Sequence, residues 1–261
     1  MEKQVDILID GDNISPKFAE YIKQEAMRYG NVRIMRLYGT VNSGNVKAWY
    51  NIMPVHGVVP MLQISYAQGK SIADQALTID AMDMLYTDQI DVFCIVSSDS
   101  DYVKLVYRLK EAGKLVIGMG EKKTRETLAN AYDEFKILDL IYKDVDAGDE
   151  VCDINISETI ETNTEEAEEV ENAEDLEISI PSENEIIDEI YDYFDLIEDD
   201  KINLAKVGAF LRKTFLGFDA RNYGYKNMTK MIEGHKDKFA VTREKAPDGE
   251  HEIVYISKAA I

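Results

Sequence analysis

D-V-F-C-I-V-S-S-D-S-D-Y, residues 91–102, contains a short apolar run that breaks off into small polar residues. Val92–Val96 is rich in β-branched and aromatic side chains, which predicts a fully buried strand of a parallel sheet. Asp99 and Asp101 stand two residues apart on the loop that follows, where open α/β sheets hold their ligands. The first apolar run ends in the same way: Val5–Ile9 leads into Asp10, Gly11, Asp12 and Asn13. Two strands closing in carboxylates point to a site for a hard cation.

Working outward, residues 1–143 alternate strand and helix signals. Strands are predicted at Val5–Ile9, Val32–Leu37, Val58–Ile64, Val92–Val96 and Leu115–Gly118, with a weaker one at Phe135–Leu138. Between them, Pro16–Tyr29 has Phe18, Ile22 and Met27 near helical spacing, with Ser15 as N-cap and Gly30 as stop. Asn45–Met53 reads as a shorter helix. Ile72–Tyr86 reads as a long one, with Ile72, Ala76, Ile79, Met82 and Leu85 on the inward face. Asp101–Ala112, with Val103, Val106, Tyr107 and Leu109 inward, and Thr124–Ala131 complete the series. The expected fold class is α/β, a parallel sheet with helices on both faces.

Charge divides the chain more sharply than hydrophobicity does. The formal net charge is −21 over 261 residues, which at first argues against a nucleic-acid partner. Residues 1–143 hold 17 Lys/Arg against 19 Asp/Glu, whereas 144–183 hold 16 acids and no base. That segment is expected to be a disordered acidic linker, because little apolar surface is present to offset the entropy of ordering. Residues 184–261 turn helical again, through Ile186, Ile190, Phe194, then Leu204, Val207, Leu211, then Met228, Met231 and Ile232. Two alternating segments follow, Phe239–Thr242 and Ile253–Ile256, joined by a turn around Pro247, Asp248 and Gly249. Three helices and a terminal hairpin describe a small winged-helix domain. Within it, residues 201–245 carry 11 Lys/Arg and 4 acids. Bases interleaved with aromatics suit phosphate tracking and base stacking.

Other classes drop away. Cys94 lies in a buried strand and Cys152 in the acidic segment, so no disulfide framework is implied. His56, His235 and His251 lack ligand spacing, which disfavours zinc. No apolar stretch reaches the roughly 20 residues that span a bilayer, and no signal peptide opens the chain. No membrane role and a cytoplasmic setting are expected.

The chemistry rests on acids. Asp10 ends the first strand, Asp74 begins the long helix, and Asp99 and Asp101 follow the fourth strand. Without basic partners, four converging carboxylates would repel one another by several kcal/mol at intermediate dielectric. A divalent cation relieves that repulsion, and oxygen-only ligands select Mg²⁺ or Mn²⁺ over zinc. Taken singly, Asp74 and Asp101 also read as ordinary first-turn helix acids. Asp12 and Asp80 are secondary candidates, Asp80 lying off the helical face of Asp74. Asn13 and Ser97 are placed to orient a phosphate or a ligand water. Lys70, Lys122, Lys123 and Arg125 are placed near sheet ends, where they can hold substrate phosphates. Trp49 reads as a packing residue.

I-D-G-D-N at 9–13, K-S-I-A-D-Q-A-L-T-I-D-A at 70–81 and S-S-D-S-D-Y at 97–102 resemble the three motifs of the NYN domain, in its LabA-like branch of the PIN-like nuclease group. The resemblance covers about residues 4–140. It implies a parallel sheet of order 3-2-1-4-5 and a metal-dependent ribonuclease site with Asp10, Asp74, Asp99 and Asp101 as metal-binding acids. Ser71 and Ser98 stand where family members more often carry Gly. V-G-A-F-L-R-K-T-F-L-G-F-D-A-R-N-Y-G-Y-K-N-M, with the later F-A-V-T, resembles the LOTUS or OST-HTH domain over about 184–258, with Gly217 where Pro is common. That resemblance implies an RNA-binding winged helix, for single-stranded or structured RNA. Lys213, Arg221, Tyr223, Tyr225, Lys226 and Lys230 are the candidate RNA contacts. The combined expectation is a Mg²⁺- or Mn²⁺-dependent endoribonuclease at 1–143, joined through 144–183 to an RNA-capturing module at 184–261. A non-catalytic RNA-binding regulator, or a protein partner recruited by the C-terminal domain, is the alternative.

Overall fold

The computed structural model describes residues 2–65, 72–87, 89–143, 180–197, 200–245 and 252–259. Most of the predicted linker, Lys70, Ser71, Cys152 and the turn around Pro247 lie outside them. Six strands form one parallel sheet: β1 (Gln4–Asp10), β2 (Asn31–Thr40), β3 (Val59–Gln63), β4 (Val92–Val96), β5 (Leu115–Gly120) and β6 (Glu134–Ile137). Their order is β3-β2-β1-β4-β5-β6, the expected PIN-like arrangement extended by one edge strand. β1 pairs with β2 on one side and β4 on the other, so the order reverses direction between β1 and β4. Every residue of β4 is buried, as a central strand covered on both faces must be.

The helices divide between the two faces. α1 (Ala19–Met27), α2 (Gly44–Trp49) and α7 (Leu138–Lys143) build one core with Ile7, Ile9, Leu37 and Cys94. The short α3 (Met53–His56) adds Met53 to that core. α4 (Ile72–Thr87), α5 (Val103–Glu111) and α6 (Glu126–Ala131) build the other with Leu8, Phe93, Ile95 and Val116. Several details differ from expectation. The α4 face that meets the sheet is Ala73, Leu77, Ala81, Met84 and Leu85, while Ile79 is 63 % exposed. Ile72, Ala76, Ile79 and Met82 have the right period but stand one residue off the buried stripe. Met27 and Tyr107 also face outward. The predicted helix at Asn45–Met53 divides into α2 and α3, and Pro54 sits in the first turn of the second. Proline is favoured there because a helix's first N–H groups lack an intrahelical acceptor.

The C-terminal domain comprises α8 (Glu183–Ile197), β7 (Ile202–Asn203), α9 (Leu204–Thr214), α10 (Met228–Gly234), β8 (Phe239–Lys245) and β9 (Glu252–Lys258). β7, β9 and β8 form a small antiparallel sheet in that order. Ile186, Ile190, Phe194, Val207, Leu211, Ile232 and Ile256 share its core. α10 starts only at Met228, because Gly224 takes φ +80° and ends a short turn over Ala220–Tyr223. Asn227 then caps α10 by accepting the Lys230 N–H at 2.9 Å.

The sequence expectation is a C-terminal module tethered through an acidic linker; the structure packs this domain on the β6 edge of the large sheet. Arg221 donates from both terminal nitrogens to Glu25 of α1, at 2.5 and 3.0 Å, and also to Asp219. Lys136 of β6, only 6 % exposed, lies 3.3 Å from Asp219 and 2.8 Å from Glu134. The Tyr29 hydroxyl donates to Glu134 at 2.7 Å. Gly217, at φ +67°, brings the loop after α9 against Ile137, where an added Cβ would lie 3.2 Å from the Ile137 side chain.

Candidate metal centre

Burial builds this site from β1 outward. Asp10 is the last residue of β1 and is fully buried. One of its oxygens accepts the backbone N–H groups of Asp12 and Asn13, at 3.2 and 3.3 Å. The other accepts the Asn13 side-chain amide at 2.9 Å and the Ser97 hydroxyl at 2.8 Å. Ser97 in turn accepts the Asp99 N–H at 3.0 Å, so the ends of β1 and β4 are joined through one hydroxyl. Asp99 turns its carboxylate back to accept the Asp101 N–H at 3.0 Å. It thereby caps the 3-10 turn Ser100–Tyr102, from which the Tyr102 hydroxyl donates to Asp74 at 2.8 Å. Asp74 sits in the first turn of α4.

The electrostatics follow from that burial. Desolvation pushes the Asp10 carboxyl up from 3.8 to about 6; hydrogen bonds from Asn13 and Ser97 oppose the rise and the charge on Asp74 adds to it. Among the described residues, no cation is among the main influences on it. Tyr102, 1 % exposed, has its phenol held far above the ordinary range by burial and then by Asp10, Asp74 and Asp99. Within this fold, then, Asp10, Asp74, Asp99, Asn13 and Ser97 gather around the β1–β4 switch point. Asp101 joins Asp74, Gln75, Thr78, Ile79 and Tyr102 in lining an adjoining groove of about 460 Å³.

Other candidates have structural duties. Asp12 accepts from the Thr40 N–H and hydroxyl, at 3.0 and 3.1 Å, and so fastens the end of β2. Asp80 is paired with Arg36 at 2.6 Å and accepts from Tyr38; neither acid joins Asp10. Ser98 accepts from the Glu121 N–H and Thr124. Lys123 pairs with Glu121, and Arg125 is exposed just before α6. Sequence reasoning missed Asn45, whose amide donates to the carbonyls of Gly11 and Ile14 at 2.7 and 2.9 Å. It also read Trp49 as packing alone, whereas its buried indole donates to the same Ile14 carbonyl. Both shape the loop that carries Asp10 and Asn13. A lone Asn and a lone Trp thirty residues from the motif give no local signal of this.

Three of the expected RNA contacts are drawn inward. Arg221 is committed to Glu25 and Asp219. Tyr223 donates to the Pro181 carbonyl at 2.9 Å, and Tyr225 to Glu183 at 2.8 Å. Gly224, at φ +80°, ends the short turn between them, and their hydroxyls reach Pro181 and the first residue of α8. Lys213 and Lys226 are exposed, and Lys230 is exposed but paired with Glu233.

The donor set is oxygen only. Among the described residues, no three His, Cys, Asp or Glu side chains lie together as a metal cage. A Mg²⁺- or Mn²⁺-class ion retains waters and takes one or two carboxylates, so the Asp10–Asp74 pair fits it. Zinc, which prefers closed nitrogen and sulfur ligation, does not fit.

Comparison with known proteins accords with this picture. The family model described as NYN domain matches residues 4–139, and that described as OST-HTH/LOTUS domain matches 184–250. A search of curated proteins finds no match. Among solved structures, a protein of unknown function from Vibrio parahaemolyticus RIMD 2210633 is 23 % identical with a TM-score of 0.43, covering 51 % of this chain and 91 % of that one. A candidate UDP-N-acetylglucosamine 2-epimerase from Listeria monocytogenes is 10 % identical with a TM-score of 0.36, covering 57 % and 44 %. Among the described residues, no helix is long and apolar enough to cross a membrane.

Proposed function

Because the chain belongs to the NYN-domain family and carries an OST-HTH/LOTUS domain after it, we propose that it is a Mg²⁺- or Mn²⁺-dependent endoribonuclease. The observation that carries this reading is Asp10: a fully buried carboxylate raised by its burial and by the charge of Asp74, with no cation among the main influences on it from the described residues. Asp10 and Asp74 would hold the ion, with Asp99 and Asp101 beside them at the mouth. Bound there, a divalent cation supplies charge neutralisation at the phosphodiester and an activated nucleophile at neutral pH. Ser97 and Asn13 keep both Asp10 oxygens oriented. Lys122 and Arg125, exposed beyond β5, would hold phosphates of the strand. The exposed Lys206, Lys213, Lys226 and Lys236 give the C-terminal domain a surface for RNA, single-stranded or structured.

A second reading has its own support. With no three acids, histidines or cysteines gathered among the described residues, the site also suits a non-catalytic RNA-binding regulator that retains one structural ion. Asp99→Asn separates the two. In the nuclease, it abolishes Mn²⁺-stimulated cleavage of single-stranded RNA while RNA affinity survives. Equal cleavage by wild type and variant sinks the catalytic assignment. Mn²⁺ binding with no cleavage of a broad RNA pool by the wild type establishes the regulator.

A further inference from the structure

Asp74 and Asp99 arrive at the site from different elements, one on α4 and one on the loop after β4, and Tyr102 spans the two. Its backbone N–H reaches the Asp99 carbonyl at 3.4 Å, within the turn that Asp99 caps. Its ring is buried in the core that also holds Leu77, Ala81 and Leu105. Its hydroxyl donates to Asp74 at 2.8 Å. A buried phenol held this way has one rotamer and one acceptor, so it fixes a carboxylate that otherwise stands in the first turn of a helix.

We propose that Tyr102 is a positioning residue: its hydroxyl orients the Asp74 carboxylate toward Asp10 and so preorganises the pair for a divalent cation. This rests on the metal-site reading above. The role parallels the outer-shell partners of metal-ligating side chains, whose loss weakens metal binding by about 10–100-fold. In this role Tyr102 acts through the Asp74 carboxylate and not as a ligand of the ion.

Tyr102→Phe removes the oxygen and keeps the ring. Isothermal titration of the full chain with Mn²⁺ is expected to show affinity lowered by about 10–100-fold, at an unchanged thermal midpoint without metal. The same substitution in an Asp74→Asn background is expected to add nothing, because the two act through one carboxylate. A loss of equal size in that background would mark a fold-wide effect and overturn the proposal, even where Tyr102→Phe is less stable. Equal Mn²⁺ affinity for wild type and Tyr102→Phe overturns the positioning role while leaving the metal site intact. A wild type that binds no Mn²⁺ overturns both.

Discussion

Two groups of buried acids in this chain solve the same problem in opposite ways. At the β6 edge, Glu25, Asp219 and Glu134 each face a cation: Arg221 takes the first two and Lys136 the last two. Asp219 is held well below the usual carboxylate range, its burial outweighed by hydrogen bonds from Arg221 and the charges of Lys136 and Arg221. Glu134 is lowered too, against its own burial, by Lys136 and Tyr29. At the β1–β4 switch point, Asp10 is as deeply buried, has four hydrogen bonds and a second acid nearby, and its carboxyl rises to about 6. Burial alone therefore does not make a site. A buried charge already paired within the chain is structure; one left for a partner from outside is the better candidate for function.

The largest expected effect comes from breaking the paired set. Among the described residues, Arg221→Ala leaves buried Glu25 with only the exposed Arg28 beside it and Asp219 with Lys136 alone. Urea unfolding of the full chain should show a loss of about 3–5 kcal/mol; a loss within experimental error would mean the two domains do not meet as described.

The unpaired set is tested through pH. Asp10 binds its proton more tightly folded than unfolded. Its contribution to stability is therefore complete below the unfolded pKa of 3.8 and is lost as pH rises through about 6. Relative to Asp10→Asn, the wild type should lose about 1–3 kcal/mol between pH 4 and 7. Mn²⁺ at a hundred times its dissociation constant should return about 2.7 kcal/mol at pH 7.5 in the wild type, and none in the variant. A pH-independent difference between the two proteins would show that Asp10 is not the strained acid described.

The smallest effect concerns the surface lysines that neither set consumes. Lys226→Ala should weaken single-stranded RNA binding by a few-fold and flatten its logarithmic salt dependence by about 0.7. Arg221→Lys, its cation retained inside the interface, should leave that slope unchanged. The reverse ranking would return the RNA surface to the 218–225 run.

Much of this was legible from pattern. Val92–Val96 is a continuous apolar run, and Val5–Ile9 is one but for Asp6, because a central parallel strand is covered on both faces; acids stand where each run stops. The position of Asp74 was legible as well, since the first turn of a helix favours an acid. Which face of α4 meets the sheet was not. A strongly apolar helix offers two adjacent stripes of the same period, and the sheet chose Leu77 and Ala81 over Ile79. Nor was the fate of Arg221 and the two tyrosines. A basic, aromatic run looks alike whether it meets RNA or a neighbouring domain, and the acid that claims Arg221 lies 196 residues away.

By itself, the sequence determined the order of strands and helices, the acidic segment, and which acids end the strands, because those depend on local period and composition. The tertiary structure decided which charges have partners. It turned Asp12, Asp80, Arg221, Tyr223 and Tyr225 to structural use and left Asp10 under the charge of Asp74, with no cation among its main influences from the described residues. Pairing is a matter of distance through space, and spacing along the chain does not encode it.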